Sequence, residues 1–482
     1  MSLTLGRSDA TFVPWMKDLR QNIQNRFPLP EGLESIADDV LLPPKWLLAT
    51  QEDSADLENK MNGLPQDSST VTVQLRQNKR LTPLSHWQDV RHLNFSCDTA
   101  IDYEPGDVLT IYPKNNEGDV EQLIDLMGWN HMAAKQVTFV RKNEHGKAAG
   151  APPIKFLSNH FKDFRTLLME HLDIAAIPRR SFFAKISNFT NDQTQKERLV
   201  EFTNSEYIDE LYDYTTRPRR SILEVLQEFD TVKIPWQWAA NVIPELRGRQ
   251  FSIASGGRLK ADRTGKAWFE LLVAIVKYKT VIKKMREGVC TKYLANLETG
   301  AQLDVTLSKG GLGIDKSHAA RPIVMVGPGT GVAPIRSLIW ERLRYQQEGQ
   351  GDSATCSNQL PDVGKNLLIY GCRNESADYF FRDEWDSIQT QIPLEVCPAF
   401  SRDQRIKIYV QDILRQRKDE VFNLLHDKDG IVFVCGSSGK MPTAVRTALA
   451  DVFRDCGLSQ NDAESYLSKM EKEGRYKQET WS

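Results

Sequence analysis

A chain of 482 residues is longer than one hydrophobic core usually supports, so two or three domains are expected. Its 62 basic and 64 acidic residues leave a net charge of −2, which removes any overall electrostatic drive toward nucleic acid or an anionic membrane. Seven cysteines, odd in number, scattered and without a Cys-x-x-Cys pair, fit a reducing compartment and argue against a disulfide framework or a zinc site. The first residues lack the apolar core of a signal peptide, and nowhere do about 18 apolar residues run together. The expectation is a soluble cytoplasmic chain with no metal site and no membrane anchor.

Residues 1–65 read as a leader or linker: Phe12, Pro14, Trp15 and the Phe27-Pro28-Leu29-Pro30 run supply anchors, and a polar stretch from Gln51 to Ser69 supplies slack. From Thr70 the alternation of Val71, Val73 and Leu75 predicts a half-buried strand, and Val108-Leu109-Thr110-Ile111-Tyr112 follows a Glu104-Pro105-Gly106-Asp107 turn. These open a β-barrel assigned to 66–115 and 239–315. Between its halves, residues 116–238 turn helical. There Ser221 precedes Ile222, Leu223, Val225, Leu226 and Phe229, the pattern of a capped amphipathic helix. Strands resume over 250–253 and 269–276, which makes the helical block an insertion. After Pro322, strands are expected over 323–326, 366–370 and 431–435, with a helix from 333 to about 347. A last helix carries Val445, Leu449, Val452 and Phe453 on one face and stops at Gly457. Strand alternating with helix implies a parallel α/β sheet over 316–482.

Four motifs carry chemistry. Gly327-Pro328-Gly329-Thr330-Gly331, with Pro334 beyond it, lies between the strand and the helix, where glycines admit a pyrophosphate and the helix N-terminus supplies donors. Arg249-Gln250-Phe251-Ser252 sets a guanidinium, an aromatic ring and a hydroxyl on one strand; the bland alternative is a solvated arginine and a core phenylalanine. Gly288-Val289-Cys290-Thr291 opens an apparent helix whose N–H groups suit phosphate. Ser401, Arg402, Lys407 and Tyr409 offer hydroxyl, charge and a ring to an adenosine 2′-phosphate, although a solvated charged loop is the ordinary reading. Gly436-Ser437-Ser438-Gly439-Lys440 is no ATP loop, because its glycine spacing is short and Met441 replaces Ser/Thr.

These motifs, with Cys435-Gly436 and a terminal Trp481-Ser482, stand in one order that resembles the reductase half of the diflavin reductase family from Thr70 to Ser482. Within that family, Cys435-Gly436-Ser437-Ser438-Gly439-Lys440-Met441-Pro442 and Phe12-Val13-Pro14-Trp15 look most like the branch that serves cytosolic iron–sulfur protein assembly. The resemblance implies a ferredoxin-reductase-type FAD barrel, a helical connecting insertion and an α/β NADPH domain. It implies that Arg249 and Thr291 bind FAD phosphates with backbone donors near Gly288, Val289 and Cys290. Phe251 would stack on the flavin where the family usually has Tyr. Ser252, Cys435 and Glu479 fall where the family places groups near the reacting ring atoms, with Glu for the commoner Asp. Trp481 would cover the isoalloxazine. The Ser-Arg and Lys-x-Tyr-x-Gln pattern adds Gln411 and favours NADPH over NADH.

The resemblance further implies electron flow from NADPH through FAD to FMN of a flavodoxin-type module, then to an iron–sulfur protein of the anamorsin type. Some 65 leader residues are too few for that module, so FMN is expected only in a full-length parent. The alternatives are another branch (a haem monooxygenase, sulfite or methionine synthase reductase) or a non-catalytic flavin-fold scaffold.

Overall fold

The computed structural model describes residues 5–30, 32, 40–50, 70–141, 162–351 and 362–481. In chain order the strands are β1 (Trp46–Thr50), β2 (Thr70–Arg80), β3 (Val90–Cys97), β4 (Val108–Ile111), β5 (Val137–Arg141), β6 (Arg249–Ser252), β7 (Trp268–Ala274), β8 (Lys277–Lys279) and β9 (Met285–Glu287). They continue with β10 (Gln302–Ser308), β11 (Ile323–Pro328), β12 (Asn366–Cys372), β13 (Leu394–Phe400), β14 (Ile431–Ser437) and β15 (Tyr476–Trp481). Two compact units result. One comprises Tyr112–Gly248, Val276–Leu294 and the described part of Met1–Ser68; the other comprises Ser69–Ile111, Arg249–Ile275 and the described part of Ala295–Ser482.

The first unit is mainly helical. Helix Glu117–Met127 starts where the Asn116 side chain accepts from Asp119 N and stops at Gly128, whose φ of 71° suits glycine. The helix expected after Ser221 is Ile222–Glu228, and Glu224 completes a capping box. Their apolar faces bury Val120, Leu123, Ile124, Val225 and Leu226 with Trp129, Phe164 and Phe183 in one core. That core also takes Leu48 of β1, which pairs antiparallel with β5, so part of the expected leader is built into the unit. Trp46-Leu47-Leu48-Ala49 is an unbroken apolar run, which carries no facing signal to read. The expected anchors are not buried: helix Leu5–Arg26 runs through Pro14, and Phe12, Trp15 and Phe27 are exposed. The polar stretch 51–69 lies outside the described residues. Hairpin β8–β9, assigned from sequence to the barrel, belongs to this helical unit.

The second unit holds the two large sheets. Six antiparallel strands run in the order β6-β4-β10-β2-β3-β7, and Leu75 faces Phe95 across β2–β3 with both fully buried. A bulge between Leu75 and Gln77 adds twist. The two edges meet where Ala254 N, just past β6, donates to Glu270 O of β7 at 2.7 Å, which curls the sheet into a barrel. Five parallel strands follow in the order β13-β12-β11-β14-β15. Helix Val332–Gly351 packs Ile335, Leu338 and Ile339 on one face, and helix Met441–Asp455 packs Val445, Leu449, Val452 and Phe453 on the other. The architecture is the expected one: a ferredoxin-reductase-type barrel with a helical insertion and a parallel α/β domain. Two strands of this parallel sheet, β13 and β15, are absent from the sequence reading. The C-terminal tail is β15, an edge strand in register with β14 (Cys435↔Glu479, Gly436↔Thr480, Ser437↔Trp481). Its polar Lys-Gln-Glu-Thr interior suits an edge and hides it from a hydrophobicity pattern.

Candidate functional site

The glycine loop closes the C-terminal end of β11, the side on which open α/β sheets hold ligands. A Cβ on Gly331 would lie 2.5 Å from Cys435 O, and one on Gly327 would lie 2.5 Å from Ile335 Cδ1. The loop therefore packs backbone to backbone on the end of β14, and Gly329 adopts a φ of 58°. Thr330 is half-buried, and Pro334 occupies the first turn of helix Val332–Gly351, where its missing N–H leaves no helical bond unmade.

Beside that loop three predicted residues converge. Ser252 Oγ, at the end of β6, donates to Glu479 Oε1, and the β14–β15 register sets Cys435 next to Glu479. Glu479 Oε2 is buried and has no hydrogen-bond partner among the described residues. Burial raises the Glu479 pKa, with the Ser252 hydroxyl opposing it only in part. Burial, and then the Glu479 charge, push the Cys435 thiol well above its ordinary value. The set is a neutral thiol, a hydroxyl and a carboxyl that protonates readily, which suits holding a proton and is unsuited to thiolate attack. An orphaned carboxyl oxygen at a strand end is the feature that fits the polar edge of a flavin or nicotinamide ring. Trp481 stands at the same end, 38% exposed, and its carbonyl accepts from Ser438 N at 2.8 Å, so strand pairing holds it in place.

Strand alternation sets Arg249 and Phe251 on one face of β6 and Ser252 on the other; Arg249 is exposed and Phe251 half-buried. At the end of β13, Ser401 is buried and its Oγ donates to Cys372 O at 3.2 Å, which leaves its lone pairs and not its proton for a ligand. Arg402, Lys407 and Tyr409 are exposed. Tyr409 N donates to Asp412 Oδ2 at 2.9 Å, fixing the entry to helix Val410–Gln416, whose first turn carries Gln411. In the helical unit, the helix that follows Gly288 is Val289–Asn296, so Val289, Cys290 and Thr291 form its first turn. Thr291 Oγ1 accepts from Val276 N at 3.0 Å and turns to Gly288 O at 3.3 Å, while Cys290 is buried.

The sequence reading missed what holds Ser252 in place. Arg336, only 2% exposed, donates from Nη1 to Ala254 O at 2.9 Å and to Glu270 Oε2 at 2.6 Å. Its Nε and Nη2 clasp Glu384 at 2.8 and 2.9 Å. Ser337 Oγ donates to Ser255 O at 2.7 Å, and a Cβ on Gly256 would lie 1.9 Å from Ser337 O. The segment after β6 is thus clamped to the helix that leaves the glycine loop. The signal was a lone cation among Val332, Ala333, Ile335, Leu338 and Ile339, since an unpaired charge is rarely buried.

A curled antiparallel barrel and a parallel nucleotide sheet, meeting at a hydroxyl–carboxyl contact on their strand ends, define a flavin reductase of the ferredoxin-reductase type. Residues 65–293 match the FAD binding domain family, and residues 325–447 match the oxidoreductase NAD-binding domain family. The proteins called NADPH-dependent diflavin oxidoreductase 1 in Emericella nidulans and Aspergillus fumigatus are each 49% identical to this chain over 98% of it and 76% of their own length. The protein of that name in Xenopus laevis is 35% identical over 98% of this chain and 77% of its own. The chain belongs to the NADPH-dependent diflavin oxidoreductase family and is an NADPH-dependent flavoprotein oxidoreductase with FAD- and nicotinamide-binding domains. No described helix is long and apolar enough to cross a membrane.

Proposed function

We propose that this chain draws electrons from NADPH into FAD and delivers them to a flavodoxin-type FMN module, and thence to an iron–sulfur protein of the anamorsin type in cytosolic iron–sulfur protein assembly. The observation that carries the reading is the meeting of Ser252, Glu479 and Cys435 beside the glycine loop. When bound, the isoalloxazine supplies the acceptance of a hydride from NADPH and its release as single electrons. Ser252 and Glu479 hold and orient a proton at the ring edge, with Glu479 Oε2 as the acceptor or donor left open for it. Cys435, neutral and fully buried, shapes the dry floor on which nicotinamide rests. Phe251 and Trp481 supply ring faces, and Trp481 swings aside to admit nicotinamide. Arg249 gives a bidentate contact to phosphate, and the Gly288-Val289-Cys290-Thr291 turn gives N–H groups and a hydroxyl. Gly327, Gly329, Thr330, Gly331 and Pro334 bring backbone against the nicotinamide dinucleotide, and Ser401, Arg402, Lys407, Tyr409 and Gln411 hold its adenosine end.

The test is a pair of measurements on the purified chain. Denaturation is expected to release about one FAD per chain, and NADPH with ferricyanide is expected to turn over, while reduction of an anamorsin-type protein requires a flavodoxin module added in trans. A colourless chain inert to NADPH would favour the scaffold alternative, and equal reduction of the iron–sulfur protein without the module would overturn the electron path.

A further inference from the structure

The adenosine loop does not stand alone at the end of β12. Arg373 directly follows that strand, and its carbonyl accepts from Arg402 N at 2.8 Å. Its own N–H and that of Asn374 are fixed by the Asp378 carboxylate at 3.0 and 2.7 Å. The Arg373 guanidinium lies 3.7 Å from the centroid of the Trp87 ring and makes no ion pair among the described residues. Burial, and then the charge of Arg402, lower its pKa. Arg402, Arg405 and Lys407 on the neighbouring loop are exposed and likewise lack ion pairs among the described residues. The loop's own acid, Asp403, is occupied by Asn374 Nδ2 and Glu375 N, each at 2.7 Å. The Asp378 carboxylate offsets the charge of Arg373 only in part, so these cations still repel one another and an incoming anion relieves that repulsion.

Trp87 is 59% exposed, an uncommon place for an indole, yet the loop that carries it is braced. Arg80 Nη2 donates to Pro83 O at 2.9 Å, Thr82 Oγ1 donates to Gln88 O at 2.8 Å, and Val90 N donates to Thr82 Oγ1 at 3.1 Å. The indole is therefore a fixed plate for the guanidinium. Stacking holds the guanidinium plane and leaves its edge N–H groups for an anion.

We propose that Arg373 is a further cation reading the 2′-phosphate of NADPH, and that Trp87 is the positioning residue that holds its guanidinium in place. The proposal rests on the reading of residues 401–409 as the adenosine loop. A phosphate oxygen would take the Arg373 edge donors together with Arg402, while Trp87 touches the arginine and not the phosphate.

The test is calorimetric binding of 2′,5′-ADP and of 5′-ADP to the FAD-loaded chain, with no turnover involved. Arg373→Ala is expected to weaken 2′,5′-ADP about tenfold or more, as one lost charge-assisted contact would. Trp87→Ala is expected to weaken it roughly fivefold and Trp87→Phe, which retains a ring face, less than about twofold. Binding of 5′-ADP, which lacks the 2′-phosphate, should stay unchanged in all three. Because Trp87 is largely exposed, Trp87→Ala carries the test even if Arg373→Ala folds poorly. If Arg402→Ala weakens 2′,5′-ADP while the Arg373 and Trp87 variants bind as the parent does, the proposal fails and the adenosine loop stands. If Arg402→Ala and Lys407→Ala also bind as the parent does, the loop reading falls and the proposal falls with it. Equal losses for both nucleotides in Trp87→Ala would make it a base-stacking residue and overturn the positioning role.

Discussion

Replacing Arg336 by Met tests the claim that a buried charge clamp sets Ser252 in place. Arg336 is 2% and Glu270 8% exposed, and the loss of Arg336 leaves the Glu270 carboxylate with only the His92 Nε2 contact at 2.9 Å among the described residues. It also strips Ala254 O of its guanidinium donor and leaves Glu384 with Trp340 Nε1 at 3.0 Å. Breaking a buried pair by removing one partner costs about 3–5 kcal/mol, since the remaining charge stays desolvated. An orphaned buried carbonyl costs about 1–3 kcal/mol by itself, but the two losses share one site and do not add in full. A destabilisation of about 4 kcal/mol is therefore expected for Arg336→Met. Burial alone would raise the Glu270 pKa, yet His92 and Arg336 together hold it below its ordinary value. Losing Arg336 moves it upward, so neutralising the acid should restore stability. The assay is urea unfolding of Arg336→Met, Glu270→Gln and the double variant, followed by far-ultraviolet circular dichroism and flavin fluorescence. The double variant is expected to lose clearly less than the sum of the singles. A single-variant loss below about 1 kcal/mol, or simple additivity, would refute the clamp.

Glu479→Gln probes the raised carboxyl pKa. The folded chain holds that proton more tightly than the unfolded chain, so this stabilising contribution is complete below the unfolded value near 4.5 and is lost as pH rises through the folded value. Urea midpoints across that window should fall less steeply in the variant, and parallel profiles would contradict the shift. Gly331→Ala forces a Cβ to within 2.5 Å of Cys435 O, a clash with a main-chain carbonyl that no rotamer relieves. It should cost about 1–3 kcal/mol in urea unfolding and weaken 2′,5′-ADP binding. Arg402→Ala combined with Lys407→Ala should weaken NADPH selectively, each charge-assisted contact being worth about 1.5–3 kcal/mol. The kcat/KM values for NADPH and NADH check it: equal losses would mean that the loop does not read the 2′-phosphate.

What the sequence made legible follows the strength of its local constraints. The glycine loop was readable because each glycine has a steric reason, such as Gly331 against Cys435 O. The Ser221 helix was readable because cap, acid and apolar face agree. The Ser252, Cys435 and Glu479 set came from family order, since residues so far apart in sequence reveal their contact only through the fold. Strand β15 stayed hidden because an edge strand needs no apolar alternation, and β1 because Trp46-Leu47-Leu48-Ala49 has no period. Arg336 stayed hidden because its partners, Ala254, Glu270 and Glu384, come from three separate segments. Trp87 and Arg373 gave no motif at all; their pairing is a tertiary event.

The central claim, that Ser252 works with Glu479 where NADPH meets FAD, is tested most directly by the rate of flavin bleaching on anaerobic mixing with NADPH, in the parent and in Ser252→Ala at matched FAD content. Removing a group that positions a proton at the reacting edge should slow bleaching about a hundredfold or more, with 2′,5′-ADP affinity unchanged. Bleaching within about twofold of the parent would contradict the claim.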